Sequence, residues 1–452
     1  YVGDLGYTVN TANYWAGAWL VTATDYDSEG NVIRELDASA TATARATPGL
    51  SAAQVDAMST RTEYNTEVKN SEGVVVLPGN SRVTDTYGPT RLVALADGTQ
   101  VQARPHTSTT YDQGAPTTLN PTTQQHWSLP TTITTGASSP GAAPGTPDLQ
   151  VISTVVNGYT KLNPADATEG DPWTLGSPST VTTAGITRKT RVDTAGRVTD
   201  TRQPISNGAD AGTTKTAYYT VAAQAAPNAA CGGKPEWAGL TCRTYPAAAP
   251  SSGPPLPAAA TTGHTTWLHP RTVVETSGTA TRTTTTEYDS AERAVSSKTT
   301  TAGLTGSTAR PGSFTKYRTD NGLVAYTGVL NAAGTDAETA GRTTPTFDRW
   351  GRTTSSVGDA GTVTTAYDTA GRVASVVDAK GATTFGYDGT GERRGLLTSQ
   401  TVTRGGTAGT MTYGATYDAD GNLTSQTMPG GIRQVTTYDA VGEPVGLQYR
   451  GQ

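Results

Sequence analysis

The chain has 452 residues, and 33 Lys and Arg against 38 Asp and Glu leave a formal net charge of −5. The sequence shows no basic excess or basic stripe, which argues against nucleic-acid binding, and no apolar run of about 18 residues that could span a membrane as a helix. Apolar residues make up only 34%, whereas 52 Gly, 20 Tyr and 7 Trp accompany abundant Thr and Ala. Because Thr and Tyr favour strands and Gly favours tight turns, this composition predicts an all-β protein built from thin hairpins.

The first 37 residues hold an aromatic stretch around Tyr14, Trp15 and Trp19. We expect these rings to pack against the sheet, since exposed ligand platforms are the less common use of such a cluster. The stretch leads into a turn motif, Tyr26-Asp27 with Gly30, that recurs later in the chain.

A helix is predicted near residues 51–60. Ser51 and Gln54 have the spacing of a capping box, and Leu50, Val55 and Met58 fall on one helical face. The apolar run 73–77 that follows is typical of a buried strand.

Two Pro-rich segments, 136–147 and 246–257, interrupt the strand pattern. Proline cannot donate to a β-ladder, so these segments are loops or linkers. Strand patterns of the same type flank both segments, which favours long loops that leave and rejoin one sheet.

Cys231 and Cys242 are the only cysteines, and they enclose a loop rich in Gly, Pro and Trp. Two cysteines without a histidine in the segment cannot complete a tetrahedral zinc site, and their spacing is too wide for a Cys-x-x-Cys redox motif. A local disulfide is the favoured interpretation and two unpaired thiols the alternative. A disulfide would indicate an oxidising compartment, so the predicted localisation is extracellular or at the cell surface.

An aromatic residue followed by Asp, with Gly four residues after the aromatic, recurs along the chain. In the C-terminal third the aromatic positions are spaced by 20, 20, 30 and 21 residues. The predicted turn residues are Tyr26, Asp27, Gly30; Asp193, Gly196; Tyr288, Asp289; Phe347, Asp348, Gly351; Tyr367, Asp368, Gly371; Tyr387, Asp388, Gly391; Tyr417, Asp418, Gly421; Tyr438, Asp439, Gly442. A decayed copy follows Tyr111.

Each residue type has a physical reason to be there. Tyr ends a strand, Asp bonds the backbone two residues later, and Gly supplies the positive φ that closes the turn. Between Tyr367 and Asp388 a return strand, a second turn at Asp378 and an outgoing strand fit one 20-residue period. A single hairpin of this size is not stable alone, so successive hairpins must pair into one long sheet.

These motifs, clearest in residues 359–373, resemble the Rhs or YD-repeat family. The segment 230–240 is similar to a Cys-containing insert of actinobacterial Rhs proteins, and the Arg, Ala, Thr and Gly bias suits that source. The resemblance implies a spiral of β-hairpins that forms a curved or hollow shell, as in toxin-complex cocoon subunits and teneurins. It also implies a self-cleaving Asp site in a C-terminal core, but Asp171-Pro172 is an isolated dipeptide, so no cleavage residues are assigned.

The sequence gives little support for catalysis, a metal or a cofactor, and we assign none. His264 and His269 are five residues apart in a non-helical context, the wrong spacing for two ligands on one helix face. Asp418 and Asp420 resemble the start of a calcium loop but lack the downstream Glu. A carboxylate pair of the glycosidase type stays a minor alternative.

We therefore expect three parts: a degenerate repeat region at 1–135, an irregular region with Pro-rich loops and the cysteine insert at 136–270, and a regular repeat array at 271–452. The predicted function is a non-catalytic shell segment of a secreted protein that encloses and delivers a C-terminal toxin. Its expected partners are the rest of the same polypeptide, including the cargo, and a delivery or surface protein. The alternative is a cell-surface adhesion or glycan-binding protein.

Overall fold

The computed structural model describes all residues except 1, 4–5, 16–17, 144, 305, 307–310, 332–333, 336–340, 390, 406–408, 440–441 and 452. Across these residues the chain is an all-β protein with a few short helices, as its composition predicts. None of the helices within this part of the chain has the length and apolar character needed to cross a bilayer.

The strands of the first half are β1 Asn10–Trp15, β2 Ala18–Tyr26, β3 Val32–Leu36, β4 Thr60–Tyr64, β5 Val68–Lys69, β6 Val75–Leu77, β7 Val83–Tyr87, β8 Arg91–Ala94, β9 Gln100–Tyr111, β10 Pro130–Ser138, β11 Gln150–Gly158, β12 Thr180–Thr183, β13 Ile186–Val192, β14 Val198–Arg202, β15 Thr213–Tyr218 and β16 Thr241–Pro246.

The strands of the second half are β17 Ala258–His264, β18 Pro270–Ser277, β19 Ala280–Tyr288, β20 Ala294–Ala302, β21 Ser313–Tyr317, β22 Val324–Val329, β23 Thr344–Phe347, β24 Thr353–Gly358, β25 Gly361–Tyr367, β26 Val373–Asp378, β27 Gly381–Tyr387, β28 Leu397–Arg404, β29 Thr410–Tyr417, β30 Leu423–Met428, β31 Ile432–Tyr438 and β32 Pro444–Gly451.

Almost every strand pairs antiparallel with the next one in the chain. A 20-stranded sheet runs from β1 to β22, and a 10-stranded sheet runs from β23 to β32. A β-bridge between Thr327 and Thr343 links the two sheets. The exceptions lie early, where β5 and β6 form a separate hairpin and β7 and β8 pair with different halves of β9. The chain is therefore one long meander, which follows from hairpins that must lean on their neighbours.

Among the described residues, three α-helices accompany this sheet: α1 Ala38–Ala46, α2 Ala52–Ala57 and α3 Pro172–Leu175. Two short 3-10 helices, Ala229–Cys231 and Pro235–Trp237, lie between β15 and β16. The predicted capping box begins α2, with Ser51 and Gln54 bonding each other's backbone N–H groups. Helix α1 was not predicted from the sequence. Asp37 caps it by accepting a hydrogen bond from Ala40 N at 2.7 Å. Asp171 caps α3 in the same way, which gives the Asp171-Pro172 dipeptide a structural role.

The apolar core is thin and dispersed. The predicted buried strand at 73–77 is confirmed only over β6, where Val76 and Leu77 are buried, whereas Val74 before it is exposed. Most of each Pro-rich segment is a loop, since the flanking strands pair with each other, β10 with β11 and β16 with β17. The first residues of the segments belong to strands, however: 136–138 to β10 and Pro246 to β16. A sheet with so small a core needs many polar contacts along its edges, and these contacts form the candidate site.

Candidate functional site: the corners and the seam

In the described part of the chain, seven turns that begin with Asp share one hydrogen-bonding pattern, and we call each of them a corner. At the corner of Tyr367, the Asp368 N–H donates to the Arg372 carbonyl at 2.9 Å, and Arg372 N donates to Asp368 Oδ1 at 2.9 Å. A register shift at Tyr367 marks a β-bulge where the turn begins. The same pair of bonds occurs at Asp27, Asp193, Asp289, Asp348, Asp368, Asp418 and Asp439.

The residue three positions after the corner Asp has a positive φ. Gly371, with φ of 86°, shows the geometry that the sequence predicts. In the corner of Tyr288 a glutamate takes this place, and Glu292 has φ of 62°. The left-handed region is costly for a residue with a Cβ, so this corner carries strain that the others avoid.

The predicted corner at Tyr387, Asp388 and Gly391 differs from the rest. Asp388 N donates to the Leu396 carbonyl at 3.2 Å, and Asp388 Oδ1 accepts from Gly395 N at 2.6 Å. The corner thus closes at Gly395 and Leu396, and its assignment to Gly391 is wrong because four extra residues extend the loop.

The decayed copy after Tyr111 is a still longer version of this corner. Asp112 N donates to the Leu129 carbonyl at 3.0 Å, and Leu129 N donates to Asp112 Oδ1 at 2.9 Å. The intervening residues form an inserted loop, so insertions enter this fold at corners without breaking the strand pairing.

An arginine at the end of the corner connects one repeat to the next. Arg352 Nε donates to Asp348 Oδ2 at 2.7 Å, while its guanidinium carbon lies 4.2 Å from the centre of the Tyr367 ring. Equivalent ion pairs and ring contacts are made by Arg197 with Asp193 and Tyr218, Arg293 with Asp289 and Tyr317, and Arg372 with Asp368 and Tyr387. Such stacking over a ring is favourable for a guanidinium.

The tyrosine hydroxyl completes the connection. Tyr367 Oη donates to the carbonyl of Thr353, at the start of the preceding return strand, at 2.9 Å. The same bond is made by Tyr26 to Thr8, Tyr288 to Pro270, Tyr417 to Leu397 and Tyr438 to Leu423. We call this repeated set of contacts the Asp–Arg–Tyr ladder. The i to i+4 spacing of Asp and Arg is the sign of this ladder in the sequence.

Hydrogen bonds lower the pKa of several corner carboxylates, among them Asp289 and Asp368. The backbone N–H of Arg372 lowers the pKa of Asp368, and the guanidinium lowers it further. At Asp289 the side chain of Arg293 is the main cause of the lowered pKa. Asp289 and Asp368 therefore stay ionised at neutral pH, where they act as hydrogen-bond acceptors.

The last corner, 438–443, lacks this arginine, because Glu443 stands in its place. Arg91 of β8 supplies the missing charge: its Nη1 donates to Asp439 Oδ2 at 2.6 Å and also contacts Glu443. The side chains of Arg91 and Asp439 are only 19% and 13% exposed. Residues 348 positions apart thus share one corner, so the meander curves back until its N-terminal part meets its last repeats.

We call the region of this contact the seam. It also brings the first turn of α1 to the corner of Tyr417, where Ser39 N donates to Asp420 Oδ1 at 3.3 Å. A cavity of about 1140 Å³ lies between the two parts, lined among others by Asp37, Asp418, Asp420 and Arg433. Burial raises the pKa of Asp37, and the negative charge of Asp420 adds to this effect.

Cys231 and Cys242 form a disulfide, and both are buried. With Ala217 and Tyr219 they make a small core against which Trp237, Leu240 and Tyr245 pack. We call residues 217–245 the disulfide unit.

The two histidines considered in the sequence lie in different environments. His264 contacts Trp237, with ring centres 4.9 Å apart, while His269 stacks on Tyr288 and lies 3.1 Å from Glu292. In the part of the chain that the structure describes, no group of three or more His, Cys, Asp or Glu has the arrangement of a metal site.

The buried His106 and its contacts were not predicted from the sequence. Its ring nitrogens lie 2.8 Å from Asp148 and 3.0 Å from Asp85, and its ring stacks on Tyr87. Asp148 follows the first Pro-rich loop, so this contact fastens the loop to the sheet. Partners so distant in sequence have no local pattern from which the contact could be predicted.

No family model matches the chain, and no curated protein matches it. Solved structures with similarity include TcdB2-TccC3-TEV, with a TM-score of 0.36 and 12% identity over 98% of this chain and 27% of that one. Another is a Tc holotoxin pore of Photorhabdus luminescens carrying a TccC3 mutation, with a TM-score of 0.35 and 13% identity over 93% of this chain and 22% of that one. The chain spans about a quarter of the length of these proteins.

Proposed function

We propose that this chain forms part of the wall of a container in a longer secreted polypeptide, and that the container encloses a C-terminal toxin. The seam is the observation that carries this proposal: a hairpin array that bends until Arg91 reaches Asp439 has the curvature a container wall needs. The motif resemblance to Rhs or YD-repeat proteins, with the actinobacterial source it suggests, points the same way.

The proposed mechanism is confinement, without catalysis by this chain. A wall of hydrogen-bonded strands leaves few unpaired backbone groups for a protease or an aggregating strand to engage. Thr–Thr pairs such as Thr401 with Thr412 and Thr416 with Thr424 give the sheet a polar face. A cargo against such a face finds little apolar surface on which to collapse, so it is held without strong adhesion.

Limited proteolysis of the natural polypeptide with its cargo tests confinement. We expect the enclosed cargo to be cleaved at least about tenfold more slowly than the same cargo made alone, because cleavage requires opening of the wall. Arg91→Glu, which places a third negative charge beside Asp439 and Glu443, should accelerate cleavage of the enclosed cargo. Arg188→Glu, on an exposed part of β13, is the matched control. Equal cleavage of free and enclosed cargo would refute the proposal.

An adhesion or glycan-binding role is the second candidate, because Trp350 is 65% exposed at the tip of a corner. The guanidinium carbons of Arg349 and Arg352 lie 3.9 and 4.9 Å from its ring centre. An exposed indole held in this way is a suitable stacking surface for a sugar ring. Reproducible glycan-array binding that is lost in Trp350→Ala would favour this function over confinement.

A further inference from the structure

A second cavity, separate from the seam, lies beside the disulfide unit. It has a volume of about 440 Å³, and Trp237, the two cysteines and alanines of β17 contribute to its walls. This volume is in the range of small-molecule sites, which are mostly apolar with a few polar groups that orient the ligand.

Small side chains on two neighbouring strands make room for the cavity. Ala258 pairs with Thr276 and Ala260 with Val274, and all four residues line the cavity. Cross-strand partners share one face of a sheet, so these side chains form its floor. Ala259, the residue between the two alanines, pairs with Glu275 and also contributes to the lining.

The wall opposite this floor is fixed in place. The Trp237 ring lies 5.0 Å from the Tyr219 ring and 4.9 Å from the His264 ring, between centres. Lys234 N donates to the Thr220 carbonyl at 2.9 Å, and Cys231 N donates to the Asn228 carbonyl at 2.8 Å. The cavity therefore exists before any ligand arrives, which lowers the entropic cost of binding.

The charges at the cavity are all of one sign. Lys234 and Arg243 line it, and the described lining residues include no carboxylate. The Lys234 ammonium lies 5.3 Å from the centre of the Trp237 ring. Glu275, on the other face of β18, is paired with Arg282 at 2.5 Å. In a chain with a net charge of −5, two cations around an apolar cavity select for an anion.

We propose that this cavity binds a small aromatic anion, with the ring against Trp237 and the alanine floor and the acidic group beside Lys234. The apolar ring of such a ligand would pack against the alanine floor. Its carboxylate or sulfonate would give Lys234 the charge-assisted hydrogen bond that the cavity itself does not offer. This inference stands independently of the container proposal, since it concerns a site on one stretch of wall.

A pair of fluorescent probes tests the site on the whole chain. Anilinonaphthalene sulfonate is an aromatic anion, and N-phenylnaphthylamine is its uncharged counterpart. We expect the sulfonate to bind more tightly than the neutral compound. Lys234→Gln should weaken sulfonate binding by about tenfold and leave the neutral probe unchanged. Lys189→Gln, on β13, is the control for a general loss of positive charge.

Filling the cavity gives an independent readout. Ala260→Leu should abolish binding of both probes, whereas Ala294→Leu, at an exposed alanine of β20 that does not line the cavity, should leave binding intact. The proposal is overturned if Ala260→Leu binds normally or if Lys234→Gln weakens both probes equally. Should both leucine variants misfold, as near-ultraviolet circular dichroism would reveal, the Lys234→Gln comparison still decides.

Discussion

The regular repeats at 345–451 and the disulfide unit at 217–245 stabilise the same kind of sheet by different means. In the repeats, each hairpin is tied to its neighbour by polar contacts such as Asp368 with Arg372 and Tyr367 with Thr353. In the disulfide unit, a covalent bond and a small buried cluster around Tyr219 do this instead. The repeats can be extended indefinitely by copying one motif, whereas the unit is a local structure with a cavity of its own.

The largest effect is expected from removing the disulfide. Replacing Cys231 and Cys242 with Ser should lower the stability of the disulfide unit by about 3 kcal/mol, since the bond no longer restricts the unfolded loop. Hydrogen exchange followed by mass spectrometry should show faster exchange in 217–245 and unchanged exchange in 345–451. A uniform increase across both regions would show that the two are not independent.

A smaller effect is expected at the residue of positive φ, where the chain offers a matched pair. Gly371→Ala should destabilise the repeats by about 1–2 kcal/mol, because the alanine would have to adopt the left-handed backbone region. Its Cβ would also lie 3.1 Å from Arg352 Nη1. Glu292→Gly should stabilise its corner by about 0.5–1 kcal/mol by relieving the same strain. Urea denaturation measures both changes, and changes of the same sign would contradict this account.

Removing one tyrosine hydroxyl of the Asp–Arg–Tyr ladder should lower the free energy of unfolding by less than the Gly371→Ala change does. Tyr367→Phe keeps the ring over which Arg352 stacks and removes only the hydrogen bond to Thr353, with a cost of about 1 kcal/mol. Tyr449→Phe, at a side chain that is 64% exposed, is the control. Equal melting temperatures for the two variants would mean that the hydroxyl bond adds nothing.

The smallest expected effect is a loss of folding stability at acidic pH. The pKa of Asp368 in the folded protein lies below its ordinary value of 3.8. Its contribution to the free energy of unfolding is therefore complete above pH 3.8 and is lost as pH falls through the lowered folded value. Denaturation curves at pH 6 and pH 3 should show a larger loss in the wild type than in Asp368→Asn, which cannot ionise. The reverse order would exclude this carboxylate as a source of acid sensitivity.

Much of the fold is visible in the sequence because its rules are local. Asp27, Asp348 and Asp418 could be placed at turns from the residues beside them, and Ser51 with Gln54 marked a helix start. Helix α1 was missed because its alternating Ala and Thr have little amphipathic character, and only Asp37 marks its beginning.

The contacts that bring distant segments together could not be predicted. Arg91 looks like any surface arginine, and nothing beside it indicates Asp439. Gly391 has the expected spacing from Tyr387, yet the loop runs on to Gly395, so spacing alone does not fix where an insertion ends. His106 likewise draws its partners from two other segments of the chain.

The shared corner at the seam makes the number of hairpins matter. Arg91 meets a corner that ends in Glu443, and duplication of one 20-residue repeat would bring the corner of Tyr417 opposite Arg91 in its place. The preceding corner ends in Asn422, so an array with one repeat duplicated would place an amide opposite Arg91 where the Glu443 carboxylate now lies. The contact between Arg91 and Glu443 therefore depends on the number of hairpins between them. Because the two residues are synthesised far apart, the contact can form only after the intervening hairpins have been made.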